Sequence, residues 1–405
     1  MEHYVVVGAG QAGCALVTRL RNKGFEGDIT LIGAEEHLPY QRPPLSKGYL
    51  LGDVARERLF LKQMGFYSDE NIQLRLGSPV TGIDPSAKTI SFRGETISYD
   101  KLALTCGLNP RRLPADIGGA LEGVFGIRTL ADVDTMAAPF SQAKKALVVG
   151  GGYIGLEGAA VARKLGLEVT LIEAAERILN RVAARETADY FRALHGGHGV
   201  RMLEGTGLAR LTGDLHVTGA ELSDGSTIEA DVVLVGIGMR DDVPLASDAG
   251  LEVDRGIVVD DMCQTSDARI WAAGDCTAQV FRGRRMRIES VQNAIDQAEA
   301  VADNMLGANQ SYDPKPWFWS DQYDVKLQIA GLNLGYSEIA VRSGADEKAR
   351  SHWYYNSEGG LIAVDAMNDP RAYMIGKRLI ESGKSLPADV ISDPASDLKS
   401  LMKSA

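Results

Sequence analysis

Residues 5–13 read "VVVGAGQAG" and residues 147–155 read "LVVGGGYIG". Each follows a β-branched run, opens an Ala/Leu-rich helical pattern and leads to a second strand, "ITLIGAEE" in one case and "VTLIEAAE" in the other. Both fit G-x-G-x-x-G, through Gly8, Gly10 and Gly13 in the first copy and Gly150, Gly152 and Gly155 in the second. The first glycine of such a motif makes a tight turn, the second lets backbone approach a pyrophosphate, and the third lets the helix pack closely on the strand. The helix N-terminus then offers N–H groups and a positive dipole to the phosphates. One copy alone is weak evidence, because its glycines can serve packing only. Two copies in the same strand–turn–helix–strand setting predict two dinucleotide-binding halves, each built on a doubly wound parallel sheet.

The acid after each motif refines this reading. In the second copy the strand ends on Glu173, where a carboxylate accepts hydrogen bonds from a ribose 2′-OH and repels a 2′-phosphate, which favours NAD over NADP. In the first copy Gly33 stands at that place and the acids follow at Glu35 and Glu36. Either can reach a ribose.

At 405 residues the chain exceeds one ordinary core, and two or three domains are expected. Its 45% hydrophobic and 24% charged residues are globular in balance. The net charge of −11 argues against a general nucleic-acid or anionic-membrane binder, which needs a positive field. No apolar run approaches ~18 residues, so no membrane span is expected. The first strand begins almost at Met1, so no signal peptide is expected. Cys14, Cys106, Cys263 and Cys276 form neither C-x-x-C nor a zinc spacing, and read as reduced, mostly buried thiols of a cytoplasmic protein. His195 and His198 in "LHGGHG" have no further ligand spacing and read as a glycine-rich helix end, so no metal is expected.

Residues 38–47, "LPYQRPPLSK", contain two adjacent prolines. These are expected to exclude a helix and to form a stiff loop, ending in a helix-capping serine and presenting Arg42 and Lys47. "TSDARIWAAGDC" (265–276) reads as a short buried strand ending in Gly274-Asp275. An aspartate there can bind a ribityl hydroxyl, or simply close an Asx turn. "YDKLALTCGLNPRRLP" (99–114) reads as a strand leaving the first domain, and "DVVLVGIGMRDD" (231–242) as the return crossing. The expected division is a first dinucleotide domain at 1–108 and 239–314, a second inserted at 109–238, and a C-terminal domain at 315–405.

These segments, with "IESVQNA" (288–294) and "PWFWSDQY" (316–323), resemble the FAD- and NADH-dependent ferredoxin reductases of bacterial oxygenase systems. "RPPLSK" with "FWSDQY" is narrow to that group and its near relatives. The resemblance implies a glutathione-reductase-like α/β fold, with two Rossmann-type dinucleotide-binding domains (FAD, then NAD) and a C-terminal α+β domain. It implies FAD contacts at Gly8, Gly10, Ala12, Gly13, Glu35 or Glu36, Arg42, Lys47, Val80, Thr105, Arg128, Asp275, Val291 and Trp319. It implies NAD contacts at Gly150, Gly152, Ile154, Gly155, Glu157, Glu173, Gly236 and Gly238. The family pattern includes Gly-Asp where this chain has Gly33-Ala34, so that contact must come from Glu35 or Glu36.

Disulfide reductases of this fold carry a cysteine pair facing the flavin, and peroxide-reducing relatives carry one cysteine; here that region reads "QRPPLSK". The family places a lysine and a glutamate at Lys47 and Glu157, near the reactive ring edges. The plainer readings are a solvated lysine and a carboxylate complementing a helix dipole. Trp317 and Trp319 read as domain-interface core, with one of them bordering the flavin as the alternative. The expected function is transfer of electrons from NADH through FAD to a separate 2Fe-2S ferredoxin, serving a haem-thiolate monooxygenase or a Rieske oxygenase. The alternatives are an NADH oxidase, a rubredoxin or quinone reductase, or a flavoprotein like apoptosis-inducing factor. "RGRRMR" (282–287) is the densest positive run, and is read as a docking patch for an acidic ferredoxin or as a solvated turn.

Overall fold

The structure is a computed structural model and describes residues 1–400; residues 401–405 of the expected C-terminal domain lie outside the described residues. The chain divides into two compact units. The first comprises Met1–Gln41, Arg56–Asn109 and Arg240–Pro316; the second comprises Arg42–Ala55, Pro110–Met239 and the chain from Trp317 onward.

The first unit is built on a five-stranded parallel sheet in the order Ile72–Arg75, Asp28–Ile32, His3–Val7, Lys101–Leu104, Ile270–Ala272. Helices Gln11–Asn22 and Val291–Met305 lay Leu16, Leu20, Ala298 and Val301 on Tyr4, Val6 and Leu31 of the sheet. Arg19 joins the two helices through paired bonds to Asp303, at 2.9 and 2.7 Å. A three-stranded antiparallel sheet, Val80–Asp84, Thr89–Phe92 and Glu95–Ser98, completes the pattern.

The second unit repeats it. Its parallel sheet runs Arg201–Glu204, Glu168–Glu173, Lys145–Val149, Val232–Val235, Val124–Phe125, so the strand before the glycine turn is again central. Leu208–Thr212, Gly219–Leu222 and Thr227–Glu229 form the matching small sheet. Both central strands are apolar on both faces, as a strand covered on two sides must be. The expected α/β fold with paired dinucleotide-type sheets is therefore present.

The C-terminal part of the second unit is an antiparallel sheet in the order Trp317–Gln322, Val325–Gly331, Leu361–Met367, Arg350–Tyr355, Glu338–Ser343. Helix Pro370–Glu381 starts on Asp369, whose carboxylate accepts the Ala372 N–H at 2.9 Å, and packs Ile375 and Leu379 against Trp353 and Val364. Helix Arg185–Gly197 meets the same sheet through polar groups. The hydroxyls of Thr187 and Tyr354 both donate to the buried Asp365. The single proton of Thr187 is thus committed, so the His352 ring, 2.7 Å from the Thr187 hydroxyl, donates to it from Nδ1. The helix ends at Gly197 with His198 as its cap, as the glycine-rich reading anticipated.

This burial makes stability pH-dependent. Desolvation pushes His195 and His352 down to about 4 and pushes Asp365 up to about 6. Between about pH 6.5 and 4 the unfolded chain binds the histidine protons and the folded chain does not, so acidification costs stability. Asp365 opposes this, since its folded form takes up a proton first. Two histidines against one carboxylate leave a net loss on the order of 1 kcal/mol per pH unit. His352→Asn keeps a donor for Thr187 and removes one titrating group. Chemical denaturation at pH 6.5, 5.5 and 4.5 should show the slope of stability against pH reduced by about 1.4 kcal/mol per unit in that variant. An unchanged slope would mean His352 is protonated in the folded protein.

Candidate active site

In the first unit Gly8 lies just beyond its strand with φ +115°, and a Cβ on it would stand 2.3 Å from the Thr105 carbonyl oxygen. A Cβ on Gly13 would stand 2.0 Å from the Gly8 carbonyl oxygen, so the helix closes on the turn only without a side chain there. Gly10 differs: a Cβ there would meet nothing within 4 Å, and the helix that Gly10 caps has no side chain on its first N–H groups. An open backbone face with uncapped donors at a helix N-terminus fits a pyrophosphate. The second unit has the same cradle. Gly150 has φ +105° with the Gly236 carbonyl oxygen 2.5 Å from its Cβ position; Gly155 is closed by Gly150 at 2.0 Å; Gly152 is open and its helix, Tyr153–Lys164, is uncapped. Thr105 and Gly236 thus play one part in the two copies. The Thr105 hydroxyl also donates to the Gly8 carbonyl at 2.8 Å and braces the turn.

Ala12 lies in the first turn of Gln11–Asn22, Val80 opens the small sheet, and Val291 opens helix Val291–Met305. Glu35 and Glu36 follow the second strand. Glu35 is half-buried and accepts the Tyr40 hydroxyl at 2.6 Å, whereas Glu36 is exposed. Asp275 follows the buried strand Ile270–Ala272 as expected. Its turn is held by Gln297, which the sequence reading did not single out: the Gln297 Oε1 accepts the Gly274 N–H at 2.8 Å and the Thr277 hydroxyl at 3.1 Å.

In the second unit Glu173 ends its strand as predicted and its carboxylate is tied to backbone, accepting the N–H of Gly151 at 2.7 Å and of Ala175 at 2.8 Å. Each oxygen keeps a lone pair for a ribose hydroxyl. Ile154, second in the glycine helix, is 44% exposed, and Gly238 has φ +91° just before the crossing at Met239.

The "RPPLSK" loop belongs to this unit, and its conformation corrects the sequence reading. Pro43–Ser46 form one turn of 3-10 helix with both prolines at its first positions. Proline is tolerated there because those N–H groups have no partner within the helix to lose. Ser46 does not cap a helix. Its hydroxyl donates to the Glu157 Oε2 at 2.5 Å. Lys47 follows, with its ammonium 2.8 Å from the same oxygen, and Arg42 donates to the Arg128 carbonyl at 2.5 Å. Glu157 is 2% exposed, one turn into the glycine helix, and its Oε1 accepts the Ser320 hydroxyl at 2.7 Å. Lys47 is therefore not a solvated lysine, and Glu157 does more than complement a dipole. The sequence reading does not single out Ser320; the signal for it is its alternation with Phe318 and Gln322 on one strand face. Trp317 and Trp319 take the other face with ring centroids 5.6 Å apart, and Trp317 packs on Tyr373.

The arginine run (282–287) lies in the first unit. It forms the hairpin Thr277–Phe281 and Arg284–Met286, but Arg285 lies 3.3 Å from Glu252, and Arg287 lies 3.0 Å from both Asp241 and Glu289. Arg282 covers the Phe281 ring, and Arg284 is exposed with no ion pair among the described residues. Cys14, Cys263 and Cys276 are buried and Cys106 is exposed. Burial pushes the Cys263 thiol up to about 12. Among the described residues no group of side chains could hold a metal, and no helix is long and apolar enough to cross a membrane.

Two dinucleotide cradles, with a half-buried lysine paired to a buried glutamate beside the second, define an oxidoreductase that uses two nucleotide cofactors. The chain belongs to the pyridine nucleotide-disulphide oxidoreductase family, which residues 2–298 match, and residues 317–402 match the reductase C-terminal domain. It is 40% identical, over 99% of both chains, to the 5,5'-dehydrodivanillate O-demethylase ferredoxin reductase subunit of Sphingobium sp.. The crystal structure of the ferredoxin reductase for the CYP199A2 system from Rhodopseudomonas palustris superposes with a TM-score of 0.95 at 38% identity, covering 99% of this chain and 100% of that one. A reductase in the covalent putidaredoxin reductase–putidaredoxin complex also gives 0.95, at 36% identity, covering 100% of this chain and 99% of that one. The protein is an FAD- and pyridine-nucleotide-dependent oxidoreductase.

Proposed function

We propose that this protein takes electrons from NADH and delivers them through FAD to a 2Fe-2S ferredoxin in the cytoplasm, and that the ferredoxin serves a haem-thiolate monooxygenase or a Rieske oxygenase. The observation that carries the reading is the Lys47–Glu157 pair, whose lysine stands at the end of the proline loop, the region where thiol-reducing members of this fold place cysteine. When bound, FAD accepts a hydride from NADH and releases the electrons singly. The first glycine turn and the N–H groups of helix Gln11–Asn22 hold the FAD pyrophosphate, with Asp275 on its ribityl chain. The second turn and helix Tyr153–Lys164 hold the pyrophosphate of NADH. Glu173 accepts from the adenosine ribose and repels a 2′-phosphate. Lys47 and Glu157 place fixed, mutually neutralising charge beside the nicotinamide of NADH held by this unit. No buried thiol is required by this chemistry, and no iron ligand set is present among the described residues, so the one-electron acceptor is a separate molecule.

Glu173→Ala should narrow the preference for NADH over NADPH in kcat/KM by about 1–3 kcal/mol, the worth of a charged hydrogen bond. Because the carboxylate also ties Gly151 and Ala175, both coenzymes should bind more weakly, and the ratio is the diagnostic quantity. A wild-type enzyme that uses both coenzymes equally would contradict the assignment.

For the acceptor, steady-state turnover with a 2Fe-2S ferredoxin should exceed turnover with rubredoxin or oxygen. Arg284 is an exposed cation of the hairpin that follows Asp275, and its guanidinium suits a ferredoxin carboxylate. Arg284→Glu should raise KM for ferredoxin several-fold at low salt and leave ferricyanide reduction unchanged. Faster turnover with rubredoxin would favour the rubredoxin-reductase reading, and an unchanged ferredoxin KM would move the docking face elsewhere.

A further inference from the structure

The Ser320 hydroxyl that holds Glu157 is the end of a longer chain, all of it within the second unit. Gln322 lies two residues on, on the same strand face, and its side-chain nitrogen is 3.1 Å from the Ser320 oxygen. Its oxygen is 2.8 Å from Nε2 of His195, on helix Arg185–Gly197. The other ring nitrogen of His195, Nδ1, is 3.3 Å from the hydroxyl of Tyr323. Ser320, Gln322 and His195 are fully buried.

The direction of every bond follows from the carboxylate outward. Glu157 only accepts, so the single Ser320 proton points at it. The Ser320 oxygen must then accept, which turns the Gln322 amide nitrogen toward it and the amide oxygen toward His195. That oxygen needs a donor, so His195 carries its proton on Nε2. A neutral ring then has an acceptor at Nδ1, which takes the Tyr323 proton. Four side chains are thereby polarised one way, and no link can reverse without leaving a buried group unpaired. The outer end is built at a cost. Tyr323 sits in the hairpin between Gln322 and Val325 with φ +55°, a left-handed conformation that a bulky residue seldom adopts. There its ring stacks on His198, with centroids 3.7 Å apart and planes 9° apart.

We propose that Tyr323, His195, Gln322 and Ser320 form a positioning relay that fixes the Glu157 carboxylate for nicotinamide binding and hydride transfer. None of the four touches the reacting atoms; they act through Ser320. The inference rests on the proposed role of Glu157 at the nicotinamide and adds that this role depends on the orientation of an amide two links away.

Gln322→Glu tests this with a nearly isosteric change. A carboxylate at that position accepts from both neighbours, so the Ser320 proton is drawn away from Glu157 and its Oε1 loses its donor. In anaerobic stopped-flow reduction by NADH, Gln322→Glu should slow the limiting rate at least tenfold, while FAD content and the rate of reduction by dithionite stay at wild-type values. Ser320→Ala should slow it similarly, and the double variant should be no slower than Ser320→Ala alone, because Gln322 acts through that hydroxyl. A readout independent of turnover is the 15N NMR spectrum of histidine: His195 should show a protonated Nε2 and a bare Nδ1 in the wild type. A ring protonated at Nδ1 overturns the relay, and so does full additivity of the two variants. Glu157→Ala separates the two levels. If it slows reduction and Gln322→Glu and Ser320→Ala do not, the relay fails and the role of Glu157 stands. If Glu157→Ala itself leaves the rate unchanged, the proposed role of Glu157 fails, and the relay fails with it.

Discussion

A carboxylate that is 2% exposed has to be compensated, and Glu157 is that carboxylate. Removing an unpaired carboxylate from water costs several kcal/mol even after the protein relaxes around it. Glu157 recovers this through three donors, the Lys47 ammonium and the hydroxyls of Ser46 and Ser320. The acid and its donors come from three stretches of chain. The glycine helix supplies the acid, the proline loop supplies the cation and one hydroxyl, and the first strand of the C-terminal sheet supplies the other. The second unit is therefore organised around one charge. Replacing the pair by apolar side chains of similar volume would be nearly neutral for stability on general grounds, which makes a stabilising purpose a poor reason for it.

The same demand explains the proline loop. Lys47 carries a long, flexible stem, and a cation that must meet a buried oxygen loses much side-chain freedom on ordering. Two prolines at the start of a 3-10 turn fix the backbone that leads into it, and Arg42 pins the other end to the Arg128 carbonyl. Most of that ordering is thus done by backbone before Lys47 engages.

What the sequence shows and what it hides divide along sequence distance. The two glycine motifs are local, each within nine residues of strand, turn and helix start, and their spacing alone predicted both cradles, the paired sheets and the position of Glu173 at a strand end. The partners of Glu157 are not local: Ser46 is 111 positions away and Ser320 is 163, and no periodicity links them. Lys47 and Glu157 were singled out by resemblance, while the two serines were seen only once the chain was folded. One local rule misleads and another leaves its answer open. Adjacent prolines argue locally against a helix, although they suit its first turn. The arginine run reads from sequence as a docking patch or a solvated turn, and its pairing with Asp241 and Glu252, distant in sequence, is not visible there.

The central claim is that Lys47 and Glu157 act as one unit on hydride transfer. A double-mutant cycle measures that directly, with Lys47→Met, Glu157→Gln and the double variant compared in the limiting rate of flavin reduction by NADH under anaerobic conditions. If the pair acts as a unit, each single variant is at least tenfold slower than wild type and the double is no slower than the worse single, a coupling above ~1 kcal/mol. Effects that add in full, or single variants that reduce flavin at the wild-type rate, would show that the buried pair serves the fold alone.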